Sequence, residues 1–201
     1  MQHPTIAHRI IELQNNDLAL RDRLAKEGRL SEGYDEEMRD LHIYHATILD
    51  EIIKKIGFPT IEKVGKEANE AAWLVIQHSI ALPSFMKRCA SLLKEAVEAQ
   101  KADSIHYAYL SDRIAVLEDR PQVFGTQFDW DENGQLSPNP IEDVANVNER
   151  RKSVGIPNTI EEQTESIRFH ARHDNLTPPK DFMNRKQKME EWKKSVGWVS
   201  S

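Results

Sequence analysis

Cysteine is nearly missing from this sequence, which has one, Cys89, among 201 residues. No internal disulfide can form, and such sparing use of cysteine favours a reducing compartment. The N-terminal residues also lack a basic region followed by an apolar run, so we expect no secretory signal. Together these two observations predict a cytoplasmic protein.

Basic residues and long apolar runs are scarce as well. Lys and Arg number 27 against 33 Asp and Glu, giving a net charge of -6. A general nucleic-acid binder usually carries a basic excess, so that class is disfavoured. The longest stretch without a charged residue, 71–86, is shorter than the roughly 20 residues of a membrane span and contains Gln77, His78 and Pro83. We expect no transmembrane segment.

Helical periodicity is what the first part of the chain does contain. Apolar stripes predict helices over about 4–26, 35–56, 66–82, 83–101 and 104–117, with a loop at Gly28–Gly33. The stripe of the first helix slips once, near Leu18. The third helix is apolar nearly all round, which is typical of a central element.

Strand-forming residues follow between Pro121 and Trp130, and an Asn133-Gly134 turn comes next. We predict a β-hairpin or extended arm near residues 121–137. Two further helices are expected, one over about 140–155 and one after Thr159, which has the capping-box spacing to Glu162. The predicted fold is mainly α: a bundle of about six or seven helices with this short β element.

The C-terminal segment differs in composition from the rest. We predict a single helical domain over residues 1–174, then a linker and a basic, aromatic, helical tail over 175–201. A tail of this kind is usually packed on the body with its charged face in solvent. The alternative is a helix that docks on a membrane surface or a protein partner.

Helix three carries two polar residues, Gln77 and His78, on otherwise apolar faces. A buried polar group without a partner costs roughly 1–3 kcal/mol, so both side chains should be hydrogen-bonded. They can be core residues that tie helices together. Alternatively, they belong to a site in which His78 acts as acid, base or ligand, because histidine titrates near neutral pH.

Helix two places His42 and His45 three residues apart, so both can face one ion. A transition-metal site needs three or four ligands, and His78 or Asp112 can supply the next. No HExxH-type motif is present. A metal-dependent enzyme using His42, His45 and His78 is therefore a minor hypothesis, and our leading hypothesis has no metal ligand.

Two further groups of polar residues are candidates for substrate binding. Tyr109, Asp112 and Arg113 are spaced to cluster on one side of helix five, where Asp112 can orient Arg113 toward an anion. The alternative is a local ion pair. The segment 122–127 offers amides and a hydroxyl for recognition of a polar group, and its members are Gln122, Thr126 and Gln127. P-loop, nucleophile-elbow and dinucleotide-binding glycine patterns are missing, so no cofactor can be named.

Several motifs together resemble a bacterial domain family of unknown function, over about residues 13–167. The resemblance rests on Gln77-His78, Asp112-Arg113 and the stretch from Gln122 to Gln127, where the family has Gln-x-Tyr-Gly-Thr-Gln. Asp17, Arg21 and Arg150-Arg151 also contribute. This chain has Phe124 where the family has tyrosine, and His42 and His45 where relatives carry Asp and Asn. The resemblance brings no activity, but it implies that six polar residues belong together: Gln77, His78, Asp112, Arg113, Gln122 and Gln127.

Our leading hypothesis is a ligand-binding or catalytic helical domain, a hydrolase or group transferase acting on a small polar or anionic substrate. His78, Asp112 and Arg113 are its catalytic candidates. Its substrate-binding candidates are Gln77, Tyr109, Gln122, Thr126 and Gln127. The main alternative is a non-enzymatic interaction or immunity-type protein that meets a protein partner through its acidic surface or its tail.

Overall fold

A computed structural model describes residues 1–29 and 34–200. The predicted fold class is confirmed, since the structure is mainly helical with one small β-hairpin. It divides into two compact units, Met1–Asp103 and Ser104–Ser201, and each is described by itself. The C-terminal tail, residues 175–201, lies within the second unit. Of the predicted loop at Gly28–Gly33, residues 30–33 lie outside the described part of the chain.

The described residues of the first unit form five helices. Their bounds are α1 Pro4–Lys26, α2 Glu36–Ile56, α3 Ile61–Val64, α4 Lys66–His78 and α5 Pro83–Glu98. The α4 helix contacts all four others, as expected for a helix that is apolar nearly all round. Its buried residues are Ala68, Asn69, Ala71, Ala72, Val75, Ile76 and Gln77.

Local signals explain where these helices begin and end. Asp35 caps α2 by accepting hydrogen bonds from the backbone N–H groups of Glu37 and Met38. Our prediction that the third helix runs to residue 82 was wrong, because α4 ends at His78. A turn then leads to Pro83, and proline disfavours helical backbone in the residue before it. His78 consequently lies at the end of a helix instead of inside one.

The second unit combines helices with the hairpin. Its elements are α6 Ser104–Leu117, β1 Phe128–Trp130, β2 Leu136–Pro138, a 3₁₀ turn Val144–Asn146, α7 Val147–Ser153, α8 Ile160–His173 and α9 Phe182–Val196. The two strands pair antiparallel, with Asp129 opposite Ser137. Thr159 and Glu162 form the predicted capping box at the start of α8. Gly155 follows α7 with a φ of 83°, a left-handed conformation that suits glycine.

Two predictions for this unit were wrong in extent. The strand expected from Pro121 is confined to β1, and residues 122–127 form an irregular segment held by side chains. The helix expected over 140–155 is reduced to the 3₁₀ turn and the two turns of α7. Strand propensity correctly predicted a hairpin, but in residues 122–127 hydrogen bonds to side chains outweigh that propensity.

The tail forms the expected helix, α9, and that helix is fixed to its own unit. The Lys193 ammonium donates to the backbone oxygen of Val116 at 2.9 Å and to Asp119 Oδ1 at 2.7 Å. Trp198, just beyond the helix, is buried. Both observations favour the packed form of the tail over the docking form. Among the described residues, no helix is long and apolar enough to cross a membrane.

Candidate functional site

A buried carboxylate explains the slip in the apolar stripe of α1. Ile10, Leu13 and Leu24 face the core, and Asp17 takes the inward position between them with only 4% of its surface exposed. The neighbouring Leu18 is one position off the stripe and is 48% exposed. A charged group is almost never buried without a partner. The interruption of the stripe was thus the sequence signal for this residue, although apolar periodicity by itself assigned Asp17 no role.

Two histidines from different helices provide the partners of Asp17. His42 lies on the buried face of α2, and His78 is the last residue of α4. His42 Nε2 lies 2.5 Å from Asp17 Oδ1, and His78 Nδ1 lies 2.9 Å from Asp17 Oδ2. Their rings are 5.0 Å apart between centroids. We call Asp17, His42 and His78 the Asp–His–His cluster.

Burial within the cluster is uneven. Asp17 and His42 are enclosed, whereas the side chain of His78 keeps 23% of its surface exposed. The α1, α2 and α4 helices that carry these residues all pack on one another, so their backbones hold the three side chains in place. The cluster is therefore a buried polar group with one member that small molecules in solvent can reach.

Tyr34 extends the network beyond the cluster, immediately before the Asp35 cap of α2. Its hydroxyl lies 2.8 Å from His42 Nδ1 and 3.5 Å from the backbone oxygen of His78. The Tyr34 and His42 rings are stacked, with 5.8 Å between centroids. Sequence reasoning missed this residue, because it lies in a connection without periodicity.

The charges of the network follow from these contacts. Burial alone would raise the pKa of Asp17, but hydrogen bonds from His42 and His78 outweigh it and lower that pKa far below the usual range. Asp17 is therefore ionised. Burial raises the pKa of Tyr34, and the negative charge of Asp17 raises it further, so its hydroxyl keeps its proton.

Among the described residues, the group that could hold a metal ion is this same cluster. One ligand atom from each of Asp17, His42 and His78 lies within 4.8 Å of the other two. The hypothesis of three histidine ligands was wrong in one member, because His45 lies outside this group. His45 lies three residues beyond His42 on α2, which is a rise of about 4.5 Å along the helix. The third ligand atom comes from Asp17 on α1 instead.

In the second unit, Asp112 organises the segment 122–127. Its carboxylate accepts hydrogen bonds from the backbone N–H groups of Val123 at 2.7 Å, Phe124 at 3.1 Å and Thr126 at 3.0 Å. The Thr126 hydroxyl donates to it as well, at 3.0 Å. Burial raises the pKa of Asp112, and the backbone hydrogen bonds act in the opposite direction. These contacts support a role in shaping the backbone; a catalytic role for Asp112 stays a prediction.

Gln122 and Gln127 are engaged with the same segment. The Gln122 amide donates to the backbone oxygens of Gln127 and Asn139, both at 2.9 Å, and its oxygen accepts from the Gln127 N–H at 2.8 Å. The Gln127 amide donates to the Thr126 hydroxyl and to the backbone oxygen of Tyr109. Both Gln122 amide hydrogens are used in this way, which favours a structural role for Gln122 over substrate recognition.

Two arginines bind the carbonyl side of this segment. Arg150 donates to the backbone oxygen of Val123 at 2.8 Å. Arg151, 1% exposed, donates to the oxygens of Phe124 at 2.9 Å and Gly125 at 3.3 Å. We call Asp112, Gln122, Arg150 and Arg151 the segment clamp.

The remaining predicted site residues are divided between the units. Gln77 is buried in α4 of the first unit, next to His78. Arg113 follows Asp112 in α6 of the second unit, and burial lowers its pKa. A cavity of about 530 Å³ in the second unit is lined by Asn148, Glu149, Lys152 and residues 155–159, and it includes none of the predicted residues.

Comparison with known proteins identifies a family but no activity. No curated protein and no solved structure matches the chain. A family of unknown function, DUF6624, matches residues 4–170, which is most of the chain. This confirms the family resemblance at the level of the whole domain. The chain therefore belongs to the DUF6624 family of unknown function.

Proposed function

We propose that the protein is a divalent-metal-dependent hydrolase or group transferase for a small polar or anionic substrate, with Asp17, His42 and His78 as its metal ligands. One observation carries this proposal. A carboxylate and two imidazoles from three separate helices place one ligand atom each within 4.8 Å of the others. The proposal keeps the reaction class of our leading hypothesis and takes a metal from the minor one.

The chemistry of the donor set indicates which ions would fit. Imidazole nitrogen suits zinc, iron, nickel and copper, and a set of two histidines and one carboxylate leaves coordination positions open. Catalytic zinc sites likewise use three protein ligands and keep one position for water or substrate. Hard ions such as magnesium prefer oxygen ligands alone. We therefore expect a first-row transition ion.

The distances in the cluster are compatible with such an ion. Zinc lies about 2.1 Å from nitrogen and oxygen ligands, so two ligands at a tetrahedral angle are about 3.4 Å apart. The two Asp17–histidine distances are 2.5 and 2.9 Å. Each of these two contacts would have to lengthen by less than about 1 Å to reach that spacing.

Each residue of the cluster has a role in this proposal. Asp17 supplies the negative charge that offsets the ion, and His42 anchors the ion from the buried side. His78 forms the partly exposed side, which favours it as the edge where substrate enters. A bound divalent ion would polarise a substrate oxygen and activate water. A substrate contact by Gln77, the neighbour of His78 in the same unit, stays a prediction.

Metal uptake by the full chain tests this proposal directly. Protein stripped with chelator and dialysed should bind one equivalent of cobalt(II) or zinc(II), measured by calorimetry and by the visible absorbance of cobalt. His78→Gln should lose binding, because two ligands remain. His8→Gln provides the matched control, since His8 is an exposed histidine of the same unit.

The result can contradict the proposal in two ways. A folded wild-type chain that takes up less than a tenth of an equivalent at micromolar metal would exclude a resident ion of useful affinity. Equal binding by the His78→Gln and His8→Gln variants would show that the ion binds elsewhere. Circular dichroism of each variant verifies that the fold is retained.

A further inference from the structure

Tyr34 lies next to the Asp–His–His cluster and contacts two of its residues, His42 and His78. Its hydroxyl lies 2.8 Å from His42 Nδ1, the nitrogen that faces away from Asp17. The same hydroxyl lies 3.5 Å from the backbone oxygen of His78. That oxygen belongs to the last residue of α4, and terminal helix carbonyls lack a partner within the helix.

The proton positions without a metal follow from the hydrogen-bond inventory. In its neutral form the His42 imidazole has one N–H, and the 2.5 Å contact with the Asp17 carboxylate oxygen, an acceptor, places it on Nε2. His42 Nδ1 is then an acceptor. The Tyr34 hydroxyl, 2.8 Å from that nitrogen, is placed to donate to it.

A bound ion would require the opposite arrangement. His42 Nε2 is the ring nitrogen nearest Asp17, so it would be the atom that binds the ion. To do so, this nitrogen would have to be deprotonated. The single N–H would move to Nδ1, and a metal-bound histidine normally donates that N–H to an oxygen. A phenol can accept as well as donate, and the His78 carbonyl is there to receive the Tyr34 proton.

We propose that Tyr34 is a positioning residue that selects the metal-binding tautomer of His42 by changing from hydrogen-bond donor to acceptor when a divalent ion binds. This inference rests on the proposed metal site. Phenylalanine in its place would leave the Nδ1–H of the bound form without its oxygen partner. Second-layer partners of this kind typically contribute 10- to 100-fold in metal affinity.

The matched pair Tyr34→Phe and Tyr44→Phe tests the role of the hydroxyl. Both tyrosines are in the first unit, and Tyr44 is exposed on α2. Cobalt(II) titration of the full chain should give Tyr34→Phe a 10- to 100-fold weaker dissociation constant. Tyr44→Phe should bind like the wild type. Equal affinities for all three proteins, with wild type binding one equivalent, would overturn the role of Tyr34 alone.

A second measurement needs no variant, so it is independent of any loss of fold. Nitrogen-15 spectra of histidine-labelled wild-type protein report which ring nitrogen of His42 carries the proton. We expect Nε2–H in chelator-treated protein and Nδ1–H after one equivalent of zinc. Retention of Nε2–H with zinc bound would overturn the proposed switch, while failure of the wild type to bind any ion would overturn both the switch and the metal site.

Discussion

Each unit of the protein buries an aspartate that accepts several hydrogen bonds, but the donors are of different kinds. Asp17 receives its hydrogen bonds from the side chains of His42 and His78. Asp112 receives three of its four from backbone N–H groups of the segment 122–127. Burial raises the pKa of Asp112 more than its hydrogen bonds lower it, whereas at Asp17 the hydrogen bonds from the two histidines outweigh burial and lower the pKa.

The kind of donor distinguishes a buried aspartate that can take part in chemistry from one that supports the fold. Imidazoles can exchange a proton, rotate and coordinate an ion, so the partners of Asp17 can change without unfolding the chain. Backbone N–H groups cannot leave Asp112 unless the segment itself moves. The Asp–His–His cluster is therefore the better candidate for chemistry, and the segment clamp is the better candidate for stability.

Asp112→Ala should produce the largest loss of stability in this comparison. It removes the acceptor of three partly buried backbone donors, and each unsatisfied buried donor costs about 1–3 kcal/mol. We expect the free energy of unfolding to fall by more than about 3 kcal/mol, measured by urea denaturation with circular dichroism. Asp174→Ala, at an exposed position, is the control and should change it by less than about 0.5 kcal/mol. Equal losses would mean that the clamp does not hold the segment.

Asp17→Asn should have a smaller effect in the metal-free protein. Asparagine keeps one oxygen acceptor, and the partly exposed His78 can turn to water, so we expect a loss of about 2 kcal/mol. The same variant should lose any stabilisation by zinc, which for a wild-type site at 100 times the dissociation constant is about 2.7 kcal/mol. A loss larger than that of Asp112→Ala would favour a purely structural role for Asp17.

Much of the fold was predictable because its signals are local. Apolar stripes gave the long helices, and Thr159 with Glu162 gave the start of α8. The irregular segment 122–127 was not predictable, because its conformation depends on Asp112 and Arg151, which are distant in sequence. A pattern of strand formers carries no information about such side-chain contacts.

The candidate site was predictable only in part for a similar reason. His78 could be named from its position on an apolar helix face, and His42 from its spacing to His45. Their convergence on Asp17 depends on how α1, α2 and α4 pack, which spacing within one helix cannot show. The slip in the apolar stripe lies next to Asp17, which was named from the sequence only through the family resemblance. A charged residue at the missing position of an apolar stripe is therefore a useful signal for a buried site.

The smallest expected effect is the pH dependence of stability that is caused by His45, which lies outside the Asp–His–His cluster. His45 is buried, its Nε2 has no hydrogen-bond partner in the described part of the chain, and burial lowers its pKa to about 4. In the unfolded chain a histidine takes up its proton near pH 6.5. Between about pH 6.5 and 4 the unfolded state therefore binds more protons than the folded state. The free energy of unfolding consequently falls as pH falls through that window.

His45→Leu should remove this part of the acid sensitivity. Between pH 7.5 and 5.5 we expect the wild type to lose about 1 kcal/mol more than the variant, measured by urea unfolding in chelator at each pH. His8→Gln is the control and should follow the wild type, because His8 is exposed. The Asp–His–His cluster is the same in all three proteins, so its contribution cancels in the comparison. Parallel pH profiles for wild type and His45→Leu would show that His45 accepts its proton in the folded state as readily as in the unfolded chain, which would contradict the prediction.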